Sequence, residues 1–323
     1  MTLRTLDADR FAPLPVVRNE AGDIRRIGVE VEFSGLSETR VAEILQETFG
    51  GDLDEDDPHC LTLKGSALGD LQVELDTALA KKADRKAGAR VMDLLRGLVP
   101  VEVVTEPLLP EEVERFDTVI PELRAAGASG SRDGVFLGFG VHLNVEVVAP
   151  EARQTMRTIR AFGLLDPVLR AQSGIDVTRR VLPFVNAWPR ALVDLLVRER
   201  PEHMGDLIDL VDPHVRSRNH ALDLLPLFKW SVPKLFEASF SDDRATSARP
   251  AFHFRLPDSQ INESGWSLQE PWEMWRLVEE VAASERLEAL EEAWVEHMDS
   301  RALGRTDSAW VRIAVDILDI AAP

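Results

Sequence analysis

Residues 26–33, RIGVEVEF, alternate between apolar and polar: Ile27, Val29, Val31 and Phe33 interleave with Gly28, Glu30 and Glu32. A period of two predicts a strand whose i and i+2 side chains share a face, roughly 7 Å apart. One face of this strand is dry, and the other carries two carboxylates and no other side chain. The alternation recurs at 71–76, LQVELD, with Leu71, Val73 and Leu75 inward, and again at 101–105. Its longest run spans 135–148. There Leu137, Phe139, Val141, Leu143, Val145 and Val147 form one face, and Gly138, Gly140, His142, Asn144 and Glu146 form the other. Near 251–256 it returns, with Phe252, Phe254 and Leu256 against His253 and Arg255.

Between these strands the period lengthens. Ser37 is placed to cap a helix carrying Val41, Ile44, Leu45 and Phe49 on one face, and Gly50–Gly51 ends it. The acidic residues 52–58 read as a loop. A helix is expected from about 78 to 98, and another opens at Pro110 with Glu111 and Glu112 in its first turn. The segment GASGSRDG, 127–134, reads as a flexible loop. From about 151 to 235 the pattern is helical and punctuated by prolines. The stretches 270–299 and 307–321 are helical too. No internal repeat or low-complexity linker interrupts the chain.

Composition narrows the class. A chain of 323 residues, 45% hydrophobic and 29% charged, is globular and long enough to bury a sizeable core. One cysteine, Cys60, excludes an internal disulfide framework and fits a reducing cytoplasm. Its acidic setting, DLDEDDPHC, raises rather than lowers a thiol pKa, so Cys60 reads as structural despite His59 beside it. No apolar run resembles a signal peptide or a bilayer span, and a soluble cytoplasmic protein is expected. A net charge of −19 argues against a nucleic-acid partner. Between 151 and 220 stand eleven Arg and no Lys against nine carboxylates. That bias reflects either genome composition or a use of arginine forks on phosphates and carboxylates, and both readings stay open.

The polar faces of the strands are chemically narrow. They carry Glu30 and Glu32; Glu74 and Asp76; Glu102; His142, Asn144 and Glu146; then His253 and Arg255. Ordinary solvated faces mix in Thr, Lys, Gln and Ser. So many anions in one bowl force protonation or draw cations, and two or three Mg²⁺ or Mn²⁺ ions suit oxygen ligands better than zinc does. Gly138 and Gly140 leave their face bare, so a bulky ligand could lie on the strand. Bland readings compete. An acidic strand face is common, and a lone strand histidine is more often structural, although His142 shares its face with Asn144 and Glu146. Glu106 reads as a cap before Pro107, Asp76 as a strand end, and Arg255 equally as counter-ion or catalyst.

Taken in order, GVEVEF, VEVVTEPL, GFGVHLNVEV, RSRNHALDLLPL and FHFRLPD resemble the putative amidoligase family over about residues 26–260. That family is a distant relative of glutamine synthetase and γ-glutamylcysteine synthetase. The resemblance implies an α+β fold: a glutamine-synthetase-like antiparallel β-sheet with a concave ligand-binding face, helices on the other face, a helical insertion and C-terminal helices. It implies a catalytic domain over 1–265, with the insertion at about 151–235, and C-terminal helices 266–323 packed on it. Glu30 and Glu32 match the family's first acidic pair, Glu102 the glutamate of its following turn, His142 its metal- and phosphate-touching histidine, and Arg255 its late arginine. Arg218 and Asn219 match a position that helps close the site. Three departures stand out: His253 where the family has Glu, Asn144 where it often has a second His, and Glu106 where a proline is common.

The expected activity is an ATP- and Mg²⁺-dependent (or Mn²⁺-dependent) carboxylate–amine ligase acting through an acyl phosphate on an amino acid or peptide-like substrate. Its metal ligands would come from Glu30, Glu32, Glu102, His142, Glu74 and Glu146. Arg255, Arg218, Arg179 and His253 are the catalytic candidates, and Gly138, Gly140, Asn144 and Asn219 line the cofactor. A metal-dependent phosphotransferase and a non-catalytic nucleotide-binding relative are the alternatives. The sequence leaves the carboxylate, the amine and the oligomeric state unnamed.

Overall fold

The computed structural model describes residues 11–57, 60–75, 100–131, 138–173, 185–300 and 306–322. Its centre is an eight-stranded sheet in the order β2-β3-β4-β5-β1-β6-β8-β7, with every pairing antiparallel. In chain order the strands are β1 (Ile27–Phe33), β2 (Asp52–Asp57), β3 (Cys60–Ser66), β4 (Gly69–Leu75), β5 (Val101–Thr105), β6 (Val141–Glu146), β7 (Leu222–Asp223) and β8 (Ala251–Phe254). The helices are α1 (Glu38–Phe49), α2 (Pro110–Asp117), α3 (Ile120–Ala126), α4 (Arg153–Gln172), α5 (Arg190–Glu199), α6 (Met204–Val211), α7 (Leu225–Ser231), α8 (Pro233–Ser239), α9 (Gln269–Ala283), α10 (Arg286–Asp299) and α11 (Asp307–Leu318). None is long and apolar enough to cross a membrane, among the described residues.

The alternation read from β1 holds. Ile27, Val29, Val31 and Phe33 are buried in the core. On the far strands the same dry face meets helices: Phe252 and Phe254 lie 5.2 and 5.4 Å from the Trp275 ring of α9, and Phe254 lies 6.1 Å from Phe162 of α4. Toward the other edge α1 covers β3 and β4. Ser37 caps α1 as its position requires, its hydroxyl accepting from Arg40 N at 3.2 Å. The helix stops at Gly50, and at Gly51, with φ of 98°, a Cβ would stand 2.7 Å from the Lys64 carbonyl. Only glycine fits there.

Several expected boundaries move. Residues 52–57 are not a loop but the edge strand β2, registered against β3 from Asp52–Lys64 to Asp57–Cys60. An edge strand needs one partner and tolerates charge, which discourages further pairing, so its acidic sequence is compatible with a sheet. β3 went unread for the same reason: its alternation is short and runs out of that acidic run. Of the expected strand 135–148, residues 135–137 lie outside the described residues, and the regular ladder covers Val141–Glu146. Ahead of it the pairing goes on irregularly: Val141 N donates to the Pro257 carbonyl at 3.0 Å, Ser259 N donates to the Phe139 carbonyl at 3.0 Å, and Gly140 bridges Asp258. The two-residue β7 lies inside the stretch read as wholly helical. The helix expected at 78–98, Asp76 and most of the loop's far end at 132–134 lie outside the described residues.

One buried ion pair ties the sheet to its covering helix. Arg25, just ahead of β1, donates to both carboxylate oxygens of Glu279 on α9 at 2.7 and 2.9 Å. Its Nε donates to the Glu146 carbonyl at 2.6 Å, and Trp275 Nε1 donates to Glu279 at 2.9 Å. Both charges are almost fully buried, at 2% and 1% side-chain exposure. Arg25→Met strands the Glu279 carboxylate and should cost about 3–5 kcal/mol, read as a lower urea midpoint with unchanged slope, whereas Arg25→Met with Glu279→Leu should recover most of it.

Candidate metal and phosphate site

Register places the polar residues in rows across the sheet. One row runs Cys60, Glu74, Glu102, Glu32 through β3, β4, β5 and β1. The next runs Thr62, Gln72, Val104, Glu30, His142. A third, on β1, β6, β8 and β7, runs Gly28, Asn144, His253, Asp223. Antiparallel partners share a face, so carboxylates far apart in sequence meet at the centre.

Half of this cluster is closed on itself. Glu30 accepts from His142 Nδ1 at 2.7 Å and from Asn144 Nδ2 at 2.8 Å. Asn144 Oδ1 in turn accepts from His253 Nδ1 at 2.7 Å. The two imidazoles meet edge to face, with centroids 5.2 Å apart. Burial works against ionising Glu30, but the hydrogen bond from His142 leads the opposing influences and holds its carboxyl well below the ordinary range. Burial likewise pushes His253 well below an ordinary imidazole, so it is neutral near pH 7. Because a carboxylate only accepts, the His142 Nδ1 carries the proton of this bond, and in the neutral imidazole Nε2 keeps its lone pair.

The other half is open. Glu32 Oε1 lies 3.8 Å from His142 Nε2, and its Oε2 is fixed by the Gly140 N–H at 2.7 Å. Glu102 Oε1 lies 3.9 Å from His142 Nδ1. Ligand atoms of Glu32, Glu102 and His142 all come within 4.8 Å of one another. Ligands about 2.1 Å from a small divalent ion stand roughly 3–4 Å apart, so this spacing fits one. Burial, then the charges of Glu30, Glu32 and Glu74, push the Glu102 carboxyl well above its usual range. A cation would relieve that crowding. Glu30, His142 and His253 form a second close set, in which the Nδ1 atoms of both histidines are engaged in hydrogen bonds within the network. The bond from His142 Nδ1 to Glu30 has the form of the carboxylate–histidine pairs that stand behind metal sites.

A family model described as "Putative amidoligase enzyme" matches residues 23–277. The chain belongs to this family. No curated protein matches it. The matched span contains every strand of the sheet and the whole cluster, and the family's description is that of a ligase.

Against the amidoligase expectations, the candidate residues divide. Glu32, Glu102 and His142 converge, with Glu30 and Asn144 behind them. Glu74 stands beside Glu102 in its row and accepts from Cys60 Sγ at 3.8 Å, contributing charge from outside the close sets. Glu146 is elsewhere: its carboxylate accepts from Asn19 Nδ2 at 2.8 Å and from Arg26 N at 2.9 Å, tying down the segment before β1. Strand periodicity gave it the right face but not its partner. Gly138 is half-buried ahead of β6, and Gly140 serves through its N–H to Glu32. Asn219 is outside both close sets, and its backbone carbonyl accepts from Asn186 N at 2.7 Å. Arg179 lies outside the described residues.

Arg218 and Arg255 flank the end of the third row. Arg218 Nε donates to Asp223 at 3.3 Å, and Arg255 Nη1 donates to the Arg218 carbonyl at 2.6 Å. Burial raises the Asp223 carboxyl despite these arginines. Asp223 and Arg249 were not legible as site residues: one sits in an apolar helical-looking run, the other in a loop before Pro250. Arg249 Nη1 reaches Glu30 at 3.3 Å and Asn144 at 3.2 Å. The polar face is thus acidic toward β4 and β5 and cationic toward β7 and β8.

Glu102 yields a prediction with a definite sign. A carboxyl raised in the folded state contributes stability below its unfolded pKa, and loses it as pH climbs to the raised value. In chelator, the wild type should lose stability as pH rises above the ordinary carboxylate range toward the raised value, and Glu102→Gln should flatten that slope and melt higher at its alkaline end. The same variant should lose most of the melting-temperature increase that Mn²⁺ gives the wild type.

Proposed function

We propose that this chain is a carboxylate–amine ligase that consumes ATP with Mg²⁺ or Mn²⁺, working on the polar face of the sheet in a glutamine-synthetase-like manner. The observation that carries the reading is the open set Glu32, Glu102 and His142, lying between surplus carboxylates and an arginine flank in a chain of the amidoligase family. A divalent ion held there would supply charge neutralisation at the ATP phosphates.

The chain's own residues do the rest. Glu30 accepts from His142 Nδ1, so in the neutral imidazole Nε2 is the ring atom left to hold an ion. Gly140 fixes one oxygen of Glu32 and leaves the other free. Arg218 and Arg255, with Arg179, are the residues assigned to the transferring phosphoryl oxygens, where guanidinium forks suit spread negative charge. A substrate carboxylate oxygen attacks the γ-phosphorus in line, the bond to the β–γ bridging oxygen breaks, and ADP leaves. The amine then attacks the acyl carbon of the resulting acyl phosphate. Its carbon–oxygen bond to phosphate breaks, and the amine's proton departs with the phosphate. No enzyme nucleophile is required, which suits a chain whose sole cysteine, Cys60, points at Glu74 rather than at the open set.

A second reading, a nucleotide-binding relative without turnover, draws on the closed half of the site, where Asn144 and His253 bind each other rather than offering a further pair of ligands. ADP release separates the readings. Release only with both a carboxylate and an amine present supports the ligase, release without an amine marks a phosphotransferase, and binding without release marks the inactive relative. ATP with Mn²⁺ should raise the wild-type melting temperature by several degrees, on the order of 2–3 kcal/mol at a hundredfold excess over Kd, and Glu32→Ala should abolish the increase. If neither wild type nor variant responds to ATP with Mn²⁺, the ligase reading fails.

A further inference from the structure

Arg249 is held where a counter-ion is not needed. Glu30 already accepts from His142 and Asn144 at 2.7 and 2.8 Å, good charge-assisted distances. Arg249 adds only Nη1, divided between Glu30 Oε1 at 3.3 Å and Asn144 Oδ1 at 3.2 Å. A guanidinium optimised for a carboxylate would use its fork, with two parallel bonds below about 3 Å. Here Nε and Nη2 make no hydrogen bond among the described residues, and the side chain is 40% exposed. Its backbone is nonetheless fixed on both sides. Arg249 N donates to the Pro226 carbonyl at 3.1 Å, and the next residue's carbonyl accepts from Val147 N at 2.8 Å. A pinned main chain therefore presents a half-used fork over the boundary between the closed network and solvent.

We propose that Arg249 is an oxyanion-holding residue: its free fork edge takes a phosphoryl group or a carboxylate of a reactant lying on the polar face. This inference deepens the ligase reading and rests on it for the identity of the reactant, although not for the subsite itself. The placement follows from charge. On the β4–β5 side an anion meets Glu74, Glu102 and Glu32. On the β8 side it meets Arg249, with Arg255 and Arg218 beyond. An anion on this face is therefore oriented, with its cation-bound part toward Glu32 and Glu102 and its bare oxygens toward Arg249.

Calorimetric titration of the full chain tests this with three probes: ATP in the presence of Mn²⁺, inorganic phosphate, and acetate. The variants are Arg249→Met, Arg249→Lys, and Arg244→Met as a charge control on the same exposed loop. Loss of charge-assisted bonds should weaken the responsible anion about 10–100-fold in Arg249→Met. Arg249→Lys should recover part, Arg244→Met should match wild type, and Mn²⁺ alone should bind all four proteins alike. A loss confined to ATP and phosphate assigns the phosphoryl group, and a loss confined to acetate assigns the carboxylate. If wild type binds phosphate or acetate through Arg249 but not ATP, the subsite stands while the ATP-dependent reading falls. Equal anion affinities in wild type and Arg249→Met overturn the proposal, as does a wild type that binds none of the three anions. A fall in Mn²⁺ affinity matching the fall in anion affinity also overturns it, because Arg249 would then act only through Glu30.

Discussion

The hydrogen bond from His142 to Glu30 is the constraint on which the site depends. It joins residues 112 positions apart, across the pairing of β1 with β6 at the middle of the sheet. With that bond, one buried carboxylate is ionised and satisfied, and one imidazole has a fixed tautomer. Without it, Glu30 would stand as an uncompensated carboxylate beside Glu32 and Glu102, in a place where burial and neighbouring charge already push the Glu102 carboxyl well above its usual range. The bond divides the polar face into a closed, hydrogen-bonded half and an open half where carboxylates crowd one another. Roles that look interchangeable in the pattern Glu-x-Glu are therefore distinct: the first glutamate holds a buried histidine, and the second accepts from the Gly140 N–H and joins the open set.

Much of this was legible in the sequence, because alternation is a strong physical signal when one face of a strand is buried. Ile27 to Phe33 and Val141 to Val145 place their dry faces as written, and the polar positions opposite them, Glu30, Glu32, His142 and Asn144, do converge. The family resemblance was legible too, from motif order more than from any single motif. Partner choice was not legible. Glu146 has the same periodicity as His142 and Asn144, yet a neighbouring loop supplies Asn19 and the Arg26 N–H to fill its carboxylate. Period two assigns a face, and only tertiary structure assigns what lies on it.

The missed elements share a cause. β2 is acidic enough to read as a loop, and β7 is two residues long within helical sequence, so neither gives a pattern strong enough to detect. Both are edges, where pairing on one side relaxes the demands on composition. The missed residues follow from the missed elements. Asp223 enters the site because β7 pairs with β8, and Arg249 because the loop before β8 is pinned beside Pro226. His253 becomes intelligible alongside Asn144, because its ring donates to the amide oxygen that faces it.

The strand order has a kinetic consequence. Glu32, Glu102 and His142 belong to β1, β5 and β6, three neighbours in the sheet that are separated by long stretches of chain. Closing those loops is entropically slow, and no contiguous fragment brings the three side chains together. A divalent ion bound there as proposed would therefore have no partial site while the chain is incomplete, and its binding would be a late event, coincident with completion of the sheet's centre.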